Sequence, residues 1–211
     1  MLSGLENKDI NLDIYVKKIY EEPDLISQYL EGLLSKNETY RYNCFKVLYI
    51  ISEKKPEMLY SHWDFFINHL KSENDYHKMS GVLIIANLTS VDTKDKFLKV
   101  FDIFYENLKS KKTIVPIYIV KSSGKIVNFK PNLEEKITDL LLNIEKIYQG
   151  KQIELVKSTT IESFSEFFNK AKNKQKIINF VKKQLDSVNP KTRKTSKEFL
   201  SRWGELDQDG C

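Results

Sequence analysis

Histidine and cysteine are the residue types in this chain most able to bind a metal ion or attack a substrate. His62 and His69 are seven positions apart, which in a helix separates them by about 10 Å, too far to share a metal ion. No CxxC or HxxxH pair accompanies them, so we interpret both, and His77, as structural or surface residues. Cys44 lies in an apolar helical pattern, where a thiol acts as a small hydrophobic side chain and the reactive thiolate is disfavoured.

Phosphate-binding and acid–base signatures are equally weak. The seven glycines form no GxGxxG or GxxxxGK[ST] motif, so neither a dinucleotide nor a P-loop site is indicated. The acidic pair Glu134-Glu135 lies near a predicted helix start, where negative charge complements the helix dipole. The sequence therefore predicts no catalytic residue, no cofactor and no metal, and an enzyme is the less favoured interpretation.

One polar segment interrupts an otherwise apolar stretch. Ser122-Ser123-Gly124 follows Pro116, and because Pro and Gly both disfavour a regular helix we expect a kink or an irregular turn here. Lys121, Lys125 and Lys130 surround the segment, so it could form a local anion or partner site. An irregularity of packing is the simpler explanation.

The composition favours long helices in a soluble protein. Of the 211 residues, 41% are hydrophobic and 30% are charged, with only seven Gly and five Pro. Cys44 and Cys211 give no disulfide framework, and the N-terminus lacks the basic region and apolar run of a signal peptide. Because no apolar stretch approaches the ~20 residues of a membrane-spanning helix, we predict a cytoplasmic protein without a membrane segment.

A helical pattern recurs along the chain at intervals of 36 to 41 residues. Each recurrence has a polar break followed by an apolar helix, and a partner helix with a wider polar face lies between successive apolar helices. The equivalent position in the five recurrences is occupied by Arg41, Lys78, Pro116, Lys157 and Arg193. Short helical hairpins bury their apolar faces by stacking in line. The predicted fold is therefore all-α, a right-handed α-α superhelix (solenoid) of about five hairpins.

This arrangement divides the chain into three parts. Residues 1–22 are predicted to form an N-terminal tail and a capping helix, because four apolar residues between Leu12 and Ile19 share one helical face. Residues 23–204 form the repeat array without a domain boundary. Residues 205–211 form a C-terminal tail.

The polar breaks resemble the start of the second helix in HEAT repeats. They read Asn37-Glu38 followed by Arg41, then Asn74-Asp75 followed by Lys78, with a looser copy over residues 189–193. The third and fourth hairpins depart from this pattern because they lack the acidic residue. The resemblance covers residues 23–204.

The resemblance implies a scaffold that binds a protein, a peptide or a nucleic acid along a concave face lined by the second helices. The residues that it places near the starts of those helices are Tyr40, Arg41, His77, Lys78, Lys157, Arg193 and Lys194. We predict that these residues bind a partner, that the chain is a non-catalytic scaffold for a protein or peptide, and that it is a monomer whose terminal repeats act as caps.

An uneven charge distribution supports a nucleic-acid-binding alternative. Residues 1–107 hold 13 Lys/Arg and 17 Asp/Glu, whereas residues 108–211 hold 21 and 12, so the net charges are −4 and +9. A HEAT-like alkylpurine DNA glycosylase would use such a basic groove, but its catalytic Asp and its aromatic and Arg partners cannot be matched here. One stripe of cations would favour a nucleic acid or an acidic partner, whereas scatter would favour simple solvation; the cations in question are Lys157, Lys172, Lys182, Arg193 and Lys194.

Overall fold

Helices are the only regular elements in the part of the chain that the computed structural model describes, residues 2–204. The prediction of an all-α protein is therefore confirmed. No helix in this range is both long and apolar enough to cross a membrane. The predicted C-terminal tail, residues 205–211, lies outside the described residues.

The chain divides into two compact units, residues 1–97 and residues 98–211. The α-helices of the first unit are α1 (Leu12–Glu21), α2 (Ile26–Gly32), α3 (Glu38–Lys54), α4 (Glu57–Tyr60), α5 (Trp63–Leu70) and α6 (Asp75–Leu88). The boundary between the units falls within α7 (Lys96–Glu106). The second unit continues with α8 (Ile114–Phe129), α9 (Glu134–Leu142), α10 (Ile144–Ile147), α11 (Ile153–Phe167), α12 (Lys174–Lys183) and α13 (Pro190–Trp203).

Asparagine side chains fix where several of these helices begin. The side-chain oxygens of Asn37, Asn74 and Asn189 accept hydrogen bonds from backbone N–H groups in the first turns of α3, α6 and α13. The first N–H groups of a helix have no partner inside the helix, and a capping side chain of this kind contributes about 1 kcal/mol. The Asn residues of the polar breaks are therefore helix caps.

Asp92 performs the same task for α7. Its carboxylate accepts hydrogen bonds from the backbone N–H groups of Lys96 (3.0 Å) and Phe97 (2.9 Å), and it also accepts one from the Tyr60 hydroxyl (2.6 Å). The helix α7 begins at Lys96, so Asp92 caps it from four residues before its first residue.

The first unit is built around α3, which packs against α1, α2 and α6, while α5 packs along α6. Cys44, Val47, Leu48 and Ile51 of α3 are fully buried, so the prediction that Cys44 is a core residue is confirmed. Burial raises the pKa of the Cys44 thiol to about 12, which keeps it protonated. Gly81 permits the close approach of α5 and α6, because a Cβ atom there would lie 2.8 Å from the Phe66 carbonyl oxygen.

The second unit is built around α11, which packs against both α8 and α13. Small polar side chains are buried on all three helices, and most bond to carbonyls of their own helix: Ser123 to Ile119, Thr160 to Val156, and Ser196 to Thr192. Small side chains whose hydroxyls bond to their own helix let the helices pack closely without leaving those hydroxyls unpaired.

The irregular turn expected near Gly124 is not formed. The helix α8 runs from Ile114 to Phe129 without interruption. Pro116 is tolerated because it occupies the first turn, where its missing N–H has no acceptor to lose. Gly124 is tolerated because the side chain of Glu166 in α11 lies over it, and a Cβ at this position would be 2.8 Å from the Glu166 Cβ.

We expect Gly81→Ala to lower the free energy of unfolding by about 1–3 kcal/mol, because its methyl group would meet a backbone carbonyl that cannot move away as a side chain can. This expected loss is a net change, in which the steric cost outweighs the ~1 kcal/mol that Ala gains over Gly in helix propensity. Urea denaturation would measure the change. Gly204→Ala is the matched control, since its Cβ would make only an ordinary 3.5 Å contact with Leu200; equal stability of the two variants would contradict the packing argument.

Candidate functional site

A groove between α3 and α6 in the first unit is the candidate site. It has a volume of about 450 Å³, and both helices contribute to its walls. Three aromatic residues line it: Tyr42 and Phe45 from α3, and Tyr76 from α6. We call this surface the α3–α6 groove.

The loop before α3 fixes one end of the groove. The Ser35 hydroxyl accepts a hydrogen bond from the Asn37 N–H (3.2 Å), and the Arg41 guanidinium donates to the Ser35 carbonyl oxygen (2.8 Å). Together with the Asn37 cap, these bonds hold the start of α3 against the end of α2. Arg41 is therefore a structural residue of this loop as well as a residue that lines the groove.

The same loop recurs before α13. The Ser187 hydroxyl accepts from the Asn189 N–H (3.1 Å), and the Arg193 guanidinium donates to the Ser187 carbonyl oxygen (2.6 Å). Before α6, Ser72 accepts from the Asn74 N–H (3.1 Å) in the same manner. The sequence signal for this structure is Ser-x-Asn-x-x-x-Arg/Lys, in which the Ser extends the predicted pattern of Asn, an acidic residue and a basic residue.

The aromatic rings of the groove are largely open to solvent. Tyr42 is 54% exposed and Tyr76 is 59% exposed, whereas Phe45 is half-buried between them and the core. The rings of Tyr42 and Phe45 are 6.4 Å apart, and Phe45 is 5.8 Å from Tyr49. Exposed aromatic rings grouped in this way are typical of surfaces that bind a partner.

Cations lie over these rings. The Arg41 guanidinium is 5.5 Å from the centroid of Tyr76, and the Lys46 ammonium is 4.7 Å from the centroid of Tyr42. Such cation–π contacts hold long, mobile side chains in place. Lys8 adds a third cation to the lining, and Glu38 adds a carboxylate.

The N-terminal segment, residues 2–8, folds back onto α3 beside the groove. The Asn43 amide donates hydrogen bonds to the carbonyl oxygens of Leu5 and Asn7, both at 2.8 Å, and the Leu5 side chain is fully buried. The Leu2 N–H donates to the Tyr40 hydroxyl at 2.9 Å. The expectation that Tyr40 is a surface residue is therefore wrong: it is 4% exposed because this segment covers it.

Two stacked imidazoles lie at the base of the groove. The rings of His69 and His77 are 4.7 Å apart and nearly parallel. Ser80 donates to the His77 carbonyl oxygen (2.8 Å), so its oxygen accepts from the Nδ1–H of His69 (2.8 Å). The remaining nitrogen of His69, Nε2, is buried and has no hydrogen-bond partner within residues 2–204.

This environment keeps both imidazoles neutral. Burial, with the neighbouring His77 as a smaller cause, lowers the pKa of His69 to about 4. Burial also lowers the pKa of His77, and Arg41 adds to that effect, whereas a hydrogen bond to the Leu33 backbone opposes it. Ser72 is the other partner of His77, 3.2 Å from its Nδ1.

The groove thus brings together two of the sequence-predicted residues, Arg41 and His77. Lys78 lies on α6 outside the groove lining. Tyr42, Lys46 and Tyr76 were not predicted as site residues, although the spacing of four residues between Tyr42 and Lys46 makes those two side chains neighbours on a helix. Helical periodicity alone does not distinguish the half-buried ring of Phe45 from a buried one.

The predicted residues of the second unit are tied into their own unit. The Lys157 ammonium lies 2.5 Å from Glu145 and 2.8 Å from Glu154, and the Ser187 hydroxyl donates to the other oxygen of Glu154. Burial opposes charge on both partners. The hydrogen bonds outweigh it, so the pKa of Lys157 is raised and that of Glu154 is lowered.

The other cations proposed for nucleic-acid binding also have internal partners. Lys172 lies 3.3 Å from Glu135, Lys194 lies 3.8 Å from Glu198, and Arg193 donates to the Ser187 carbonyl as described. Lys182 makes an internal contact as well. All five cations proposed for a nucleic-acid-binding stripe therefore have interactions with other residues of the protein.

Comparison with known proteins gives no assignment for this arrangement. No protein-family model matches the chain, and no curated protein matches its sequence. Within residues 2–204, no group of three or more His, Cys, Asp or Glu side chains is placed to hold a metal ion.

We expect His69 to make the protein less stable in acid. Its folded pKa of about 4 lies below the unfolded value near 6.5, so the unfolded chain binds the proton more readily between these values. The free energy of unfolding should therefore fall by about 2–3 kcal/mol as the pH drops from 6.5 to 4. His69→Asn, which keeps a donor near the Nδ1 position but does not titrate, should lose that part of the pH dependence. Identical pH profiles for the two proteins in urea denaturation would contradict this account.

We expect Lys157→Met to lower the free energy of unfolding by about 1–3 kcal/mol at pH 7, because it leaves two carboxylates without their shared cation. The difference from the unmodified protein should shrink below about pH 4, where carboxylates become protonated. Lys151→Met removes an exposed lysine from the preceding loop and should change stability by less than about 0.5 kcal/mol. A loss as large for Lys151→Met would show that the ion pairs are not the cause.

Proposed function

We propose that the chain is a non-catalytic binding protein that holds a peptide segment of a protein partner in the α3–α6 groove. The observation that carries this proposal is the cluster of solvent-exposed Tyr42 and Tyr76 around half-buried Phe45, with cations held over the rings. Tyr and Arg are the side chains that most often dominate binding energy at protein interfaces. A groove of about 450 Å³ accommodates a few side chains of a peptide.

The position of the groove agrees with the HEAT-like resemblance. Its walls are α3 and α6, the second helices of the first two predicted hairpins, and that is the face which the resemblance assigns to partner binding. We therefore propose that the chain is a HEAT-like right-handed α-α superhelix. A monomeric state and a cytoplasmic location complete the proposal.

The way in which α3 binds the N-terminal segment supports recognition of a peptide backbone by this surface. Asn43 donates its two bonds to carbonyl oxygens two residues apart, which is recognition of main chain irrespective of side chain. The surface of α3 is thus already able to hold a non-helical segment of polypeptide. The α3–α6 groove continues this surface, with Lys8 at the junction.

Nucleic-acid binding is less well supported. The five cations that would have to form its binding stripe are engaged with internal partners. A phosphate chain would have to compete for each of them, although exposed ion pairs are individually weak.

Selection from a random-peptide display library tests the proposal. We expect peptides that bind the unmodified chain and bind Tyr42→Ala/Tyr76→Ala at least about tenfold more weakly, since truncation of aromatic anchors costs roughly 2 kcal/mol or more. The control is Ile14→Ala/Phe129→Ala, which removes two exposed apolar side chains elsewhere and should bind as before. Thermal unfolding of both variants would verify that they fold.

Two outcomes would contradict the proposal. One is failure to select any peptide; the other is selection of peptides whose binding is the same in the groove variant and its control. Salt-dependent binding of a labelled single-stranded or duplex DNA, unchanged in the groove variant, would instead favour the nucleic-acid alternative.

A further inference from the structure

The charges that line the α3–α6 groove are mostly positive. Lys8, Arg41 and Lys46 face one carboxylate, that of Glu38. Within residues 2–204 no carboxylate lies within ion-pair distance of any of the three cations. Their charges are therefore available to an occupant of the groove, in contrast to that of Lys157.

The geometry of Arg41 and Lys46 fits a carboxylate beside an apolar side chain. One nitrogen of Arg41 is engaged by the Ser35 carbonyl, which leaves further N–H donors on a planar group whose position is already fixed. A preorganised guanidinium binds a carboxylate through two parallel hydrogen bonds at little cost in entropy. The Lys46 ammonium lies over the Tyr42 ring of the same helix, and Arg41, Phe45 and Lys46 all line the groove.

The net charge of the first unit argues against a polyanionic strand as the occupant of the groove. Residues 1–97 hold 12 Lys/Arg and 15 Asp/Glu, so the first unit has a net charge of −3. A long nucleic acid would be repelled by this unit as a whole. A short peptide with one or two carboxylates would need only the cations that line the groove.

On this basis we infer that the α3–α6 groove binds peptide segments in which an apolar anchor residue is flanked by Asp or Glu. The anchor contacts Phe45 and Tyr76, and the flanking carboxylates pair with Arg41 and Lys46. The inference rests on the proposed peptide-binding function and specifies the chemistry of the partner.

The test uses two peptide display libraries of equal diversity on the full chain. One places only Asp or Glu, and the other only Lys or Arg, on either side of a randomised apolar core. We expect enrichment of the acidic library alone. Equal enrichment, or enrichment of the basic library, would overturn the inference and leave the peptide-binding function intact. Enrichment of neither would also overturn the inference, and the random-peptide selection then decides whether the peptide-binding function stands.

Charge reversal supplies the matched comparison. Lys46→Glu should weaken binding of the selected acidic peptides by about 3- to 30-fold and improve binding of their Lys-substituted analogues, because charge pairing across an interface sets preference between partners. Lys54→Glu makes the same charge change at an exposed position of the same helix outside the groove and should have little effect. Equal effects of the two substitutions would show that general charge, rather than the groove, selects the peptide.

Discussion

The Asn-capped loop that precedes α3 and α6 is the constraint on which the rest of the first unit depends. An Asn side chain satisfies the free N–H groups at the helix start, a Ser hydroxyl binds the Asn backbone, and at α3 and α13 an Arg returns to the Ser carbonyl. Because these bonds fix the residue at which α3 and α6 begin, they also fix which side chains the two helices present to each other. The groove, its aromatic rings and its cations follow from that register.

Both units bring their helices close together with small residues, and the second unit adds an ion cluster. In the first, α5 and α6 approach through a glycine, and apolar side chains fill the surrounding core. In the second, α8, α11 and α13 bury small hydroxyl side chains that bond to their own helices, and an ion cluster around Lys157 joins α10 and α11. Hydrophobic burial is non-directional, whereas the ion cluster is geometrically specific.

Local patterns in the sequence were sufficient for the helices but not for the groove. Periodicity and capping residues depend on neighbours in the chain, so the all-α class, the Asn caps and the buried Cys44 could be predicted. Tyr40 could not, because the segment that covers it binds from 38 residues away. Lys157 is paired by Glu145 on another helix, and the Pro116 and Gly124 signals are overridden by position in the first turn and by packing against Glu166.

Arg41 has a consequence for how binding and folding are related in this protein. The guanidinium that would pair with an occupant of the proposed site also closes the loop between α2 and α3, so the site exists only while that loop is folded. Thermodynamic linkage then requires that the occupant raise the free energy of unfolding of the native chain, by about 2.7 kcal/mol at a concentration 100 times its Kd. A partner that binds this site would therefore stabilise the folded state of the unit that receives it.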